Sequence, residues 1–388
     1  MKLLYLHLVS ITRQKANIIQ VAHMCNAFQK IGIETTLALP IDTSDKINLN
    51  SIIKDKIGFD PAFKIITIPE LKFFNRSFEI VSAFQLFIKF FNKKKTYDYC
   101  FTRCIWSNYF ALKLFKNVIF ESHESTIKPN STLMNHLCIK LLIKNSFKSN
   151  QVLFISISNA LKQFWLNLGI PSKKLIAKHD GVLETDYNNI DINGARLHLK
   201  INTKKKVATY AGSLYKDRGI DIILDLAMNF PKIHFIVVGG PEDQKQLYEN
   251  QCFNLNIKNI SFTGNIPHHK VKFFLAASDI LLLMYTNNVP TINICSPLKL
   301  FEYMASKKII VGHSFPTIKE VLKDGKNALL ASPNNFDELK NKLELAASLN
   351  YPNRLSNNAK NDVIKYFTWE KRAKDIFRKL NPNYFKSK

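Results

Sequence analysis

Short apolar runs alternate with helically spaced segments along almost the whole chain, and this alternation limits the fold more than any other feature. Residues 2–9 read as a buried strand. A polar loop at 10–16 carries Arg13 and Lys15. In 17–31 the apolar residues Ile18, Val21, Met24, Cys25 and Phe28 share one helical face, and Gly32 ends the run. Residues 33–39 are again a strand. Strand, helix, strand is a βαβ unit, and serial βαβ units build a parallel sheet between helical layers. The rhythm continues with strands at 64–68, 97–101, 118–120, 152–156 and 175–178, and helices at 106–114, 135–145 and 159–168, the last capped by Ser158 and ended by Gly169. After a polar, Asn- and Asp-rich stretch it resumes. Strands are predicted at 206–211, 233–238, 260–263, 280–284 and 328–330. Helices are predicted at 220–229, 244–250, 271–278 and 336–347, with an amphipathic helix at 369–380. A length of 388 residues is long for one core and comfortable for two. The predicted class is α/β: two doubly wound parallel-sheet domains at 1–186 and 204–365, joined by a linker at 187–203.

Lys and Arg number 55 against 30 Asp and Glu, a net charge of +25. The excess is spread over both halves without a basic tail. It suits a nucleic acid, an anionic membrane surface or a phosphorylated substrate. Only charge supports the nucleic-acid reading, so no nucleic-acid partner is expected. The stretch 73–91 is rich in aromatics (Phe73, Phe74, Phe78, Phe84, Phe87, Phe90, Phe91) and runs into Lys93, Lys94 and Lys95. It predicts an amphipathic helix ending in a cationic cluster, either packed on the core or docked on anionic lipid. No apolar run reaches the roughly 20 residues that span a bilayer. The apolar N-terminus lacks a small-residue cleavage site and reads as a strand rather than a signal peptide. Of six cysteines none forms a CxxC pair, and Cys100 with Cys104 has no matching half of a metal site. Buried, reduced thiols in the cytoplasm are expected.

The densest local signal is at 295–326. Ser296 reads as a helix cap, Pro297 as the first helical residue, and 298–305 as the helix, closed by Lys307 and Lys308. A strand at 309–311, a turn at Gly312, a helix at 314–324 and a turn at Asp324-Gly325 follow. Free N–H groups at that first helix start, with Lys299 in the first turn and Glu302 one turn in, suit a phosphorylated ligand. His123, in the loop Glu121-Ser122-His123-Glu124, sits at a strand's carboxyl end, where open α/β sheets bind ligands. The loop at 10–16 has no glycine, so a dinucleotide-binding fingerprint is absent.

These pieces, in this order and spacing, resemble the family-4 retaining glycosyltransferases (glycosyl transferases group 1) over essentially the whole chain. The resemblance rests on Ala16-Asn17 through Met24, Ala27-Phe28 and Gly32, Phe101-Thr102-Arg103, Phe120-Glu121-Ser122-His123, Ile157 to Leu161 and His179-Asp180-Gly181-Val182. It continues through Tyr210-Ala211-Gly212-Ser213-Leu214, Arg218-Gly219, Val237 with Val238-Gly239-Gly240, Phe262-Thr263-Gly264, Ala277-Ser278-Asp279 and Ser296 to Ala305. Phe367-Thr368-Trp369-Glu370-Lys371-Arg372-Ala373 is similar to the family's last helix. The resemblance implies the GT-B architecture, two Rossmann-like domains facing across a cleft, with 366–388 crossing back onto the first.

It also implies a nucleotide-sugar donor, UDP- or GDP-linked, held mainly by the second domain. By resemblance Glu302 takes the ribose hydroxyls, and the backbone at Ser296, Leu298 and Lys299 takes the diphosphate. Gly264 and Ile266 pack the base, Gly212 and Ser213 form the first loop, and Arg218 neutralises the leaving group. His123 stands near the reacting sugar, so His123, Arg218 and Lys299 are the catalytic candidates. The family's first paired glutamate is replaced by Ile294, and the cation after Gly212 by Ser213. No carboxylate is placed as a nucleophile; the family is thought to react on one face of the sugar. No Asp-x-Asp motif is present, so a metal-independent reaction without a cofactor is expected. The implied acceptor is a growing, lipid-linked bacterial surface glycan such as a lipopolysaccharide, with the enzyme peripheral at the inner face of the cytoplasmic membrane. Two other readings stay open. One is a non-catalytic partner of another transferase. The other is a sugar-nucleotide epimerase using Glu121, Glu124 or Asp180 as acids.

Overall fold

A computed structural model describes residues 1–9, 16–41, 51, 54, 58–73, 76–77, 79–123, 133–188, 190–201 and 204–384. Residues 10–15, with Arg13 and Lys15, lie outside the described residues, as do Phe74, Phe78 and Glu124. The chain forms two compact units. The first is residues 1–180 with 369–388, and the second is residues 181–368.

Unit 1 holds a seven-stranded parallel sheet: β1 (Lys2–Leu6), β2 (Glu34–Ile41), β3 (Lys64–Pro69), β6 (Tyr99–Thr102), β7 (Val118–Ser122), β8 (Gln151–Ser156) and β9 (Leu175–Ala177), in the order β3-β2-β1-β6-β7-β8-β9. A two-residue hairpin, β4 (Lys72–Phe73) with β5 (Arg76–Ser77), lies apart from it. Every residue of β7 is buried, Glu121 and Ser122 included. Helices on both faces explain such continuous burial. The ring of Tyr5 stacks on that of Phe101 in the neighbouring strand, centroids 4.6 Å apart. The last helix, Trp369–Leu380, packs on the first, Ala16–Lys30; Phe377 meets Phe28 edge-on at 5.5 Å and Trp369 stacks on His23.

Unit 2 holds six parallel strands: β10 (Lys206–Ala211), β11 (Ile233–Val238), β12 (Ile260–Phe262), β13 (Ile280–Leu283), β14 (Ile309–His313) and β15 (Leu329–Ala331), in the order β12-β11-β10-β13-β14-β15. In both units, then, the sheet is doubly wound and parallel, as the alternation predicts.

Several local expectations change. The segment read as a linker contains the helix Ile192–His198, started by the Asp191 carboxylate on Gly194 N–H. It packs into unit 2: Ala195 is buried beside Ala276 and Ala277, and Arg196 pairs with Asp279 at 2.7 Å. Gly312 is no turn. It lies inside β14, where a Cβ would stand 2.6 Å from the Leu283 carbonyl oxygen, so its job is close strand approach. The helix expected at 314–324 is only Pro316–Val321, and the aromatic helix is shortened to Glu79–Phe90 after the hairpin. The helix at Leu298–Ala305 has Pro297, not Ser296, at its N-cap position. Lys308 does not cap its end; it is buried over the Tyr351 ring at 4.1 Å. The cation there is Lys360, which donates to the Ala305 carbonyl at 2.8 Å. Lys360 comes from Arg354–Tyr366, a helix that the alternation does not predict. A capping box between Asn353 and Ser356 starts it, and Ala359 and Val363 bury it in the unit 2 core.

Glu121 ties the C-terminal helix into unit 1. It is fully buried, and its Oε2 accepts from Arg372 Nη2 at 2.7 Å. Arg372 also donates to the carbonyls of His179 and Lys178. Removing one partner of a buried ion pair strands the other charge, which costs about 3 kcal/mol. Arg372→Met should lower the unfolding free energy by about that amount at pH 7, read from urea denaturation. Opposing charges hold the Glu121 pKa well below the usual range, although burial, the largest influence, pushes it up. Stability from this carboxylate is therefore present above its unfolded pKa and lost as pH falls through the folded one. The gap between parent and Arg372→Met should narrow toward acid pH, and a gap that stays constant with pH would exclude this account.

Candidate active site

In unit 2 the strand order reverses at β10, which lies between β11 and β13. Loops leaving neighbouring strands diverge there, and a doubly wound sheet leaves room for a ligand at their carboxyl ends. The Gly212 N–H, just after β10, donates to the Val238 carbonyl at 2.9 Å. A Cβ on Gly212 would stand 2.8 Å from Lys299 Nζ. Gly239 and Gly240, after β11, take φ of 108° and 85°. A Cβ would lie 2.5 Å from the Gly212 oxygen at the first and 2.2 Å from Leu214 Cγ at the second. Only glycine satisfies both the backbone angle and the space. The Gly239 N–H donates to the Gly264 carbonyl at 3.1 Å, joining the ends of β11 and β12.

The loop carrying Arg218 is pinned to the loop after β13. Thr286 donates its N–H and its hydroxyl to the Asp217 carbonyl, and Asn288 Nδ2 donates to the Asp217 carboxylate at 3.0 Å. Arg218 is partly buried.

Lys299 stands in the first turn of Leu298–Ala305. Its stem keeps some exposure, but Nζ is out of solvent and makes no hydrogen bond. Nζ lies 3.9 Å from the Tyr210 ring centroid and 5.0 Å from that of Tyr285. The ring faces attract the cation without giving it an oxygen acceptor. Burial, and then the positive charge of Arg218, bring its pKa down to about 7 against the pull of Glu302 and Cys295. Tyr210 Oη donates to the Ser213 carbonyl at 3.0 Å, which steadies that ring.

One turn on, Glu302 is buried, and its Oε1 lies 2.8 Å from His268 Nε2. The next residue, Tyr303, accepts the Ala211 N–H on its Oη at 2.8 Å, locking the helix to the end of β10. Ser296 is buried, Leu298 is partly buried, and Ile266 packs partly buried against the core that includes Phe301. Unit 2 therefore brings Gly212, Lys299, Glu302 and Arg218 into one electrostatic neighbourhood. Gly264 and Ile266 follow β12, at the same end of the sheet.

His123 belongs to unit 1. It follows β7, and its Nε2 lies 2.5 Å from Glu121 Oε1. Glu121 Oε1 also accepts from Gln20 Nε2 at 3.0 Å and lies 3.6 Å from Arg103 Nε. Gln20 reaches Asp180 Oδ1 as well, at 3.0 Å. Burial and Arg103 lower the His123 pKa, against the opposite pull of Glu121 and Asp180. The ionised carboxylate can only accept, so the neutral ring carries its hydrogen on Nε2, and Nδ1 keeps the lone pair.

The sequence assigns no site role to His268, Tyr210, Gln20 or Arg103, although Tyr210 and Arg103 lie in segments that carry the resemblance. His268 opens a helix after Pro267, and Tyr285 follows a predicted strand, which are weak signals. Gln20 carries no signal until other elements meet it, and the motifs holding Tyr210 and Arg103 do not by themselves give those two a part in the site.

Residues 193–362 match the family model described as glycosyl transferases group 1. An uncharacterised glycosyltransferase of Methanocaldococcus jannaschii is 29% identical over 82% of this chain and 83% of its own. Over residues 193–362 the chain is similar to the group 1 glycosyl transferases. All the chain's site candidates except His123 fall within the matched residues. Its fold is also that of Anabaena HepE, solved with UDP, at a TM-score of 0.76 and 15% identity over 98% of this chain and 100% of that one. The lipopolysaccharide outer core galactosyltransferase WaaB is similar at a TM-score of 0.66 and 13% identity, over 99% and 100%. Both likenesses are of fold, the GT-B fold of two Rossmann-like domains.

The buried Lys299 makes a prediction that needs no ligand. Its folded pKa lies below its unfolded value, so the folded state binds fewer protons between about pH 7 and about pH 10. Through this group stability rises with pH across that window. Lys299→Met removes the penalty. It should stabilise the protein by ~2 kcal/mol at pH 6 in urea unfolding, with the gain vanishing near pH 10. A variant less stable than the parent at pH 6 would contradict the buried, unpartnered ammonium.

Proposed function

We propose that the protein is a retaining, metal-independent glycosyltransferase. It moves a sugar from a UDP- or GDP-linked donor to a growing, lipid-linked bacterial surface glycan. The observation that carries this is the Lys299 ammonium, out of solvent without a hydrogen bond beneath Gly212, with the Glu302 carboxylate one turn on. A buried cation without acceptors costs stability, and a diphosphate would supply the missing oxygens. The UDP in Anabaena HepE supports a nucleotide donor by likeness.

In this reading the Gly212–Ser213 loop and the backbone at Ser296, Leu298 and Lys299 bind the diphosphate. Gly264 and Ile266 flank the base, and Glu302 accepts from the ribose hydroxyls. The bond from the anomeric carbon to the β-phosphate oxygen breaks. The acceptor oxygen bonds to that carbon on the same face, and its proton passes to the leaving phosphate. Arg218 and Lys299 stabilise the charge that develops there. His123 is assigned to the transferred sugar by resemblance. The two cations, and a sequence without an Asp-x-Asp pair, favour catalysis without metal; activity should be indifferent to EDTA.

The epimerase reading loses ground on one observation. Glu121 is fully buried and bonded to Arg372, His123 and Gln20, so it is poorly placed to shuttle protons. A non-catalytic role has only Ile294 and Ser213 behind it. A nucleotide-sugar panel read by thermal shift and donor hydrolysis decides between them. One UDP- or GDP-sugar should raise the melting temperature, and Glu302→Ala should remove the shift. Arg218→Ala should lower kcat about a hundredfold. No shift by UDP or GDP at millimolar level, with Glu302→Ala unchanged, would sink the proposal.

Membrane attachment rests on the helix Glu79–Phe90. Ile80, Phe84, Ile88 and Phe91 form a stripe between 41% and 58% exposed, and exposed Lys93, Lys94 and Lys95 follow it. An apolar stripe edged by cations suits the headgroup region of an anionic bilayer. No helix among the described residues is long and apolar enough to cross a membrane. The protein should co-sediment with liposomes in proportion to their anionic lipid, and Phe84→Asp with Ile88→Asp should abolish this. Sedimentation indifferent to anionic lipid would remove the membrane part of the proposal alone.

A further inference from the structure

We propose that His268 is a positioning residue for the donor ribose, fixing the Glu302 carboxylate in the one orientation that serves two adjacent hydroxyls. This rests on the reading that Glu302 binds the ribose. Glu302 lies three residues after Lys299 on the same helix, a spacing at which opposite charges normally pair. They do not pair here. Lys299 Nζ makes no hydrogen bond, and Glu302 Oε1 is instead 2.8 Å from His268 Nε2. The imidazole therefore keeps the carboxylate away from the ammonium, leaving each for a different part of the donor.

The geometry suits that task. Among the described residues Glu302 Oε2 makes no hydrogen bond, so one oxygen is held and the other is left to accept. The last torsion of a glutamate is broad, and without His268 the carboxylate plane would turn freely. His268 is the first residue of the helix His268–Ala277, after Pro267, on the segment that carries Gly264 and Ile266. The groups that bear on it are Glu302, from Leu298–Ala305, and Asp186, from the turn Glu184–Tyr187. They raise its pKa although burial lowers it, which favours a charge-assisted bond to Glu302. The same loop that would face the base thus sets the group that would read the sugar next to it.

The test is calorimetric titration of the full-length protein with UDP and 2′-deoxy-UDP, and in parallel with GDP and 2′-deoxy-GDP. The parent should prefer the ribonucleotide by about tenfold. His268→Ala should cut that preference to within about twofold, and His268→Gln, whose Nε2 can donate from a similar place, should restore most of it. An altered fold alone would weaken both nucleotides without changing their ratio. A His268→Ala protein with the parental ratio overturns the proposal, as does a Gln variant as impaired as the Ala variant. Glu302→Ala separates the two ideas. If it abolishes the preference while His268→Ala keeps it, only the role of His268 fails. If Glu302→Ala also keeps it, or the parent shows none, the ribose reading of Glu302 fails and this proposal with it.

Discussion

A single buried carboxylate holds unit 1 together across the two ends of the chain. The chain leaves unit 1 after Asp180 and returns at Trp369, so its C-terminal helix must be recognised from sequence far away. Glu121 and Arg372 make that recognition at 2.7 Å, with both side chains out of solvent. Such a pair gains little over well-packed apolar residues, because desolvation offsets most of the attraction. What it adds is selectivity. The apolar contacts of Phe377 and Trp369 are not directional, whereas Arg372 must meet Glu121 and the carbonyls of Lys178 and His179 together. The carboxylate that fixes the fold also fixes the hydrogen of His123, so the strand end and its imidazole are set together.

Unit 2 carries the opposite case, a buried charge that is left unsatisfied. Glu121 faces Arg372, His123, Gln20 and Arg103, but Lys299 Nζ faces two aromatic rings and no acceptor. Packing alone would favour an apolar side chain there. Local choices that disagree with folding stability tend to mark function. Tyr210 and Tyr285 accept the cation only weakly, so an anion entering beside Gly212 has little to displace.

Much of this was legible in the sequence because parallel strands are short, continuously apolar and separated by helices. The limits of β10 and β11 and of the helices 220–229 and 369–380 follow directly from the pattern. What escaped depended on partners remote in sequence. Arg354–Tyr366 is rich in Asn and Lys, and its Leu355, Ala359 and Val363 stripe is too thin to stand out without the core it meets. Gly312 reads as a turn until the Leu283 carbonyl is seen against it. The glycines after β11 are readable as a strand end, but not as the space taken by the Gly212 carbonyl and the Leu214 side chain. Lys299 was visible as a cation at a helix start. Its loss of solvent was not, because the rings that cover it come from β10 and the loop after β13.

The two sheets share one topology and treat their reversal points differently. At the ends of β10 and β11 in unit 2, Gly239 lets the Gly212 carbonyl approach, Gly240 makes room for the Leu214 side chain, and Gly212 makes room for Lys299 Nζ and the Tyr210 hydroxyl. At the corresponding reversal in unit 1, between β1 and β6, the strand ends are occupied by side chains. Arg103 follows β6, Gln20 reaches in from the first helix, and both meet Glu121. The same architecture therefore carries closely packed glycines at one reversal and a bonded side-chain network at the other. The distribution of glycine, rather than the order of strands, decides which is which.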